Sequence, residues 1–189
     1  MVDIRVNKTL RAIDVKLEVL QEFLYGLGFL GVFLETINGA DILGIKRSLY
    51  TTEVEVKVDK YDLIKEIKAI RNEITRSVSS NKIYKHKRYL GKETFTSWRG
   101  FIPNEFYFAV PSSLRDVAID GVRDTPYGVI TVGHYLGGYQ GIHQLWGVNF
   151  DIRAKKIHKE KIDNNTMLSL MRKTSIENFN LRRKINGTD

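Results

Sequence analysis

Residues 50–58 read Tyr-Thr-Thr-Glu-Val-Glu-Val-Lys-Val. Side chains alternate along a strand with period two. Glu53, Glu55 and Lys57 therefore leave one face, and Val54, Val56 and Val58 leave the other. Valine at every second position marks a strand of the core. Three charges crowded on its opposite face need a reason, either a solvated sheet surface or a site with chemistry.

Working outward, Lys46-Arg47-Ser48 is a turn into this strand from a preceding one at Ala40 to Ile45, which carries Asp41 near its start. Asn38-Gly39 is a two-residue hairpin signal. It makes Phe29 to Ile37 a first strand, antiparallel to the second, with Glu35 near its end. Before it, Leu10, Ile13, Leu17, Leu20 and Leu24 recur at helical spacing, with Asn7 as N-cap and Gly26 and Gly28 as the stop.

After Asp59 the period becomes helical. Leu63, Ile67, Ile70, Ile74 and Val78 line one face of a long amphipathic helix. A break at residues 77–81 precedes the basic run Lys82 to Arg88, and residues 91–103 form a polar loop carrying Trp98. Glu105 to Val110 is an apolar strand closed by Pro111, with a short helix beginning at Ser112 or Ser113. Tyr127 to Val132 is a further strand. Residues 133–147, with five glycines, form an ordered loop or hairpin. Val148 to Ile157 is a last strand and residues 165–184 a basic helix. This order predicts an α/β three-layer sandwich, a central mixed sheet flanked by helices. It forms a single domain with a core of about residues 8–160 and a basic helical segment at about 161–189.

The chain has 189 residues, 42% hydrophobic and 11% aromatic, enough to bury a sizeable core. It has no cysteine, which excludes disulfide scaffolds, thiolate metal sites and cysteine nucleophiles. Its start lacks the apolar segment of a secretory signal. Phe23 to Leu34, the most apolar stretch, holds three glycines and is too short to span a bilayer. The expectation is a soluble, cytoplasmic protein with no membrane partner.

The net charge of +8 is unevenly spread. Residues 60–92 carry ten Lys/Arg against three Asp/Glu, and residues 151–189 ten against five, while the rest is slightly acidic. Two basic blocks around a near-neutral middle suit a polyanion, since Lys and Arg contacts to phosphate supply most sequence-independent affinity. Lys60, Lys85, His86, Lys87, Arg88, Lys155 and Lys156 are the candidate nucleic-acid contacts. The competing readings are a solubilising surface for the blocks and an ordinary surface position for His86.

Asp41, Glu55 and Lys57 together match what phosphodiester hydrolysis needs. A magnesium ion takes a few carboxylate oxygens and keeps several waters. Asp41 and Glu55 on neighbouring strands, with the carbonyl of Val56, would hold one. Lys57 would stabilise charge developing in the transition state, and Glu35 would complete the ligand set or help bind a second ion.

The residues also resemble a known family. Gly39-Ala-Asp-Ile-Leu43, the stretch 50–58 and Asp59-Lys-Tyr-Asp-Leu63 look like the PD-(D/E)xK nuclease superfamily. The chain is similar to small phage and bacterial relatives of the Holliday-junction resolvases. Lys85-His86-Lys87, Pro103 to Pro111, Tyr127 to Val132 and Arg153 to Lys159 extend the likeness over about residues 29–175. The resemblance implies a restriction-endonuclease-like fold and an endonuclease, dependent on Mg2+ with Mn2+ as substitute, acting on DNA, including branched DNA. It makes Asp41 and Glu55 metal ligands, Lys57 the catalytic lysine and Glu35 an auxiliary acid. It also implies a homodimer by analogy. Position 40 is Ala where the family's name has Pro, and position 39 is Gly where relatives often carry Arg. A catalytically silent DNA-binding module and an accessory interaction protein are the alternatives.

His134 and His143 lie nine apart in the glycine-rich stretch, a weak metal-pair signal. Trp98, Tyr139 and Trp146 could stack on unpaired bases, or pack beneath their loops.

Overall fold

The computed structural model describes residues 10–34, 40–71, 80–92, 102–136 and 144–185. Helix α1 (Ala12–Gln21) runs into a π-helical turn at Glu22–Gly26, and Gly28, at φ 62°, turns the chain toward the sheet. Strands β1 (Gly31–Leu34), β2 (Ile42–Ile45) and β3 (Thr51–Val56) form an antiparallel meander. Helices α2 (Lys60–Ile70) and α3 (Ser80–Tyr89) then lead to β4 (Glu105–Pro111), parallel to β3. A 3-10 turn and α4 (Arg115–Val122) lead to β5 (Gly128–Leu136), parallel to β4. Strand β6 (Gln144–Ile152) returns antiparallel and helix α5 spans Asn164–Ile185.

The six strands lie in chain order, β1 to β6, in one mixed sheet. Each parallel step carries its helices across a face. On one side Val15 and Val19 of α1 and Phe23 of the π-helical turn pack on Ile42, Val54, Val56, Ala109 and Ile130. On the other, Leu63, Ile67 and Ile70 of α2 meet Ala118 and Val122 of α4 and Phe106, Phe108 and Val129 of the sheet. Leu170 of α5 and Ile162 cover Leu43 and Ile45. This is the expected α/β three-layer sandwich.

Three local features matter. The basic run Lys82 to Arg88 belongs to a helix, α3, whose inward side is Ile83, His86 and Tyr89. Two of those three carry polar atoms, so the hydrophobic period was hidden. Of the two readings of residues 133–147, the hairpin holds for the described part: β5 runs on through Leu136, β6 begins at Gln144, and the two pair antiparallel. Strand β6 accordingly starts at Gln144 and ends at Ile152, earlier at both ends than expected.

Candidate active site

The valines of β3 face α1 as the alternation requires, and the charged face is not solvated. It lies under α2 and α3, and Glu53 is 1% exposed. A carboxylate in such a place must be paired or it neutralises. The pairing comes from helices that follow β3 in the chain.

At the C-terminal end of β3, the Lys57 ammonium lies 2.6 Å from Oε1 of Glu55 and 3.5 Å from Oε2 of Glu66 on α2. Lys85 of α3 lies 3.0 Å from Oε2 of Glu55 and 2.8 Å from Oε1 of Glu53. The second of these is a buried ion pair. The other oxygen of Glu53 accepts from the Tyr89 hydroxyl at 2.8 Å. Lys82 adds its ammonium to Oε2 of Glu66.

Asp41 reaches the same end of the sheet from β2. One step beyond the pair Ile42 and Val54, the antiparallel register sets it beside Glu55. Its Oδ2 accepts the Val56 backbone N–H at 2.8 Å, and Lys16 of α1 lies 2.8 Å from Oδ1. Asp41 is also among the charges that act on Lys57. The structure thus brings Asp41, Glu55, Val56 and Lys57 together. Glu35 lies outside the described residues.

Burial pushes the Glu55 carboxyl up, but Lys85 and Lys57 outweigh it and hold it below its ordinary range. Burial pulls the Lys57 ammonium down, and Glu55 and Glu66 more than reverse this, leaving it raised. Lys85 is raised likewise by Glu53 and Glu55 against its own burial. All three groups stay charged near neutral pH.

Two carboxylates and a backbone carbonyl are hard oxygen donors of the kind magnesium takes. Asp41 and Glu55 already draw three ammonium groups, from Lys16, Lys57 and Lys85. A cation seated on these oxygens would have to compete with those three ammonium groups. Among the described residues no group of three or more His, Cys, Asp or Glu is placed to hold a metal.

The nucleic-acid candidates divide. His86 is fully buried, bonded to Glu66 and Tyr127, so neither phosphate contact nor a surface position is right for it. Lys85 is also corrected: it is held inside by Glu53 and Glu55, and its charge is spent there. Both face inward because α3 packs this side on the sheet. Lys60, Lys155 and Lys156 are exposed, the last with its ammonium 3.8 Å from the Tyr50 ring centroid. Lys87 and Arg88 are partly buried, with Lys87 over the ring of Tyr84. His143, Trp98 and Tyr139 lie outside the described residues, and His134 and Trp146 are cross-strand partners.

Sequence reading missed Glu66, Lys82, Tyr89 and Tyr127. For Glu66 a signal existed. It lies three residues after Leu63 and four before Ile70, a carboxylate on the apolar side of α2.

No protein-family profile and no curated protein sequence matches the chain. Among solved structures, a protein of unknown function from Silicibacter pomeroyi is similar, with a TM-score of 0.51 and 10% sequence identity. The match covers 95% of this chain and 94% of that one. At that identity the likeness is one of fold. No helix among the described residues is long and apolar enough to cross a membrane.

Proposed function

We propose that this chain is a divalent-metal-dependent DNA nuclease of the PD-(D/E)xK kind, hydrolysing backbone phosphodiesters. The observation that carries the reading is the seat of Asp41 on the Val56 N–H, which sets its carboxylate beside the Glu55–Lys57 pair. In that arrangement Asp41, Glu55 and the Val56 carbonyl would hold Mg2+, which supplies Lewis-acid charge and lowers the pKa of water. Lys57, held charged between two carboxylates, would place a positive group where negative charge develops. Lys60, just beyond Lys57 at the start of α2, and Lys155 and Lys156 would take neighbouring phosphates through salt-sensitive contacts.

A second reading is a DNA-binding module without turnover. Each oxygen of Asp41 and Glu55 already has an internal partner, which favours it. The test incubates the protein with supercoiled plasmid, branched DNA and linear duplex, in Mg2+, Mn2+ or chelator. Metal-dependent nicking that disappears in Asp41→Ala and Lys57→Ala supports the nuclease. Salt-dependent binding with no cleavage in any metal refutes it in favour of the binding module.

A further inference from the structure

Glu66 is a fully buried carboxylate on a helix face otherwise made of Leu63, Ile67 and Ile70. Burying an ionised group there is costly unless several partners satisfy it. Its partners are specific. Oε1 lies 3.0 Å from Nε2 of His86, and Oε2 faces the ammonium groups of Lys82 and Lys57. His86 is itself enclosed, with Nδ1 lying 3.0 Å from the Tyr127 hydroxyl.

The direction of these bonds follows from burial. Burial lowers His86 despite Glu66 beside it, so the ring is neutral and has one N–H. Burial raises the Tyr127 hydroxyl, which stays protonated and can donate. Tyr127 therefore donates to Nδ1, leaving Nε2–H to donate to Glu66. Burial would also raise Glu66, but the His86 hydrogen bond and Lys57 bring it well below the ordinary range. The result is a fixed anion, aimed by a neutral relay, 3.5 Å from the Lys57 ammonium.

We propose that Glu66 is a positioning residue for Lys57, oriented through His86 and Tyr127. A lysine has four rotatable bonds and one carboxylate contact leaves its ammonium free to swing. A second carboxylate on another element restricts it to the space between the two. This rests on the nuclease reading for its catalytic meaning, and on geometry alone for the placement.

The test is Glu66→Gln, which keeps the size and an acceptor for His86 while removing the charge. In metal-free protein the 1H–15N signal of the Lys57 ammonium, assigned with Lys57→Arg, should be visible in the parent and lost in the variant. With metal and DNA, kcat should fall about 10- to 100-fold with KM unchanged, the scale typical of residues that orient first ligands. A lowered melting temperature with the signal and kcat both retained marks Glu66 as structural and overturns the proposal. Should Glu66→Gln not fold, Tyr127→Phe removes only the hydroxyl that orients His86. Weakening of the Lys57 signal there supports the relay, and an unchanged signal overturns it. If the parent protein cleaves nothing, the nuclease reading fails, while the ammonium signals still decide the placement of Lys57.

Discussion

The ammonium of Lys85, on α3, lies 3.0 Å from Oε2 of Glu55, on β3, thirty residues earlier in the chain. That contact ties a helix to the strand at the candidate site, and the same ammonium neutralises Glu53. Lys85→Met should therefore leave Glu53 buried without its cation. Removing one partner of a buried pair costs about 3–5 kcal/mol, and urea denaturation should show a loss of that order. A loss under 1 kcal/mol would mean that water reaches Glu53 and α3 does not seal this face.

Tyr89→Phe removes the hydroxyl that donates to Oε2 of Glu53. Leaving a buried acceptor unpaired costs about 1–3 kcal/mol. Guanidinium unfolding should register this with no change in m-value, since the surface exposed on unfolding is the same.

Stability should fall on the acid side in two stages. His86 is depressed below its ordinary value of 6.5, so between that value and its folded pKa the unfolded chain binds a proton that the native ring refuses. Glu66 and Glu55 are depressed below 4.5, so the stability they contribute is present above that value and lost as pH falls through their folded values. The melting temperature should decline from about pH 6.5 and more steeply below about 4.5. A flat profile from pH 7 to 4 would contradict a buried neutral His86.

Gly128 has no room for a side chain. A Cβ there would meet the Tyr107 ring at 2.3 Å and the backbone N of Ala154 at 2.7 Å. A ring can turn, but a backbone nitrogen cannot retreat without moving the segment after β6. Gly128→Ala should destabilise by about 1–3 kcal/mol through overpacking, measured by thermal melting.

The helix N-cap at Asp59 offers a local control. Its carboxylate accepts from the Tyr61 and Asp62 N–H groups at 2.8 and 3.0 Å. Asp59→Ala should cost about 0.5–2 kcal/mol and, under the proposed nuclease reading, leave cleavage unchanged. Loss of activity in the folded variant would place Asp59 in the site rather than at its edge.

The meander around residues 50–58, the apolar strand at Glu105 and the mixed, layered class of the fold were legible, because period, turn residues and breakers act over a few positions. That Asp41 and Glu55 lie on neighbouring strands was legible too, but the register that sets them side by side comes from the turn between Lys46 and Tyr50, which pairs Ile45 with Thr51. For His86 and Lys85 the same local rules pointed outward, to phosphate. A basic run reads as a solvated surface unless something far away in the chain covers it.

Local alternation could say that Glu53, Glu55 and Lys57 share a face, but not what lies over that face. That depended on α2 and α3 folding back across β3 with Glu66, Lys82 and Lys85 on their inward sides. Coulomb attraction and desolvation depend on distance through space, and the partners here lie up to about thirty positions apart. Pairing at that separation leaves no short pattern to read. The strand carried its charges in plain view, and their neutralisation came from packing.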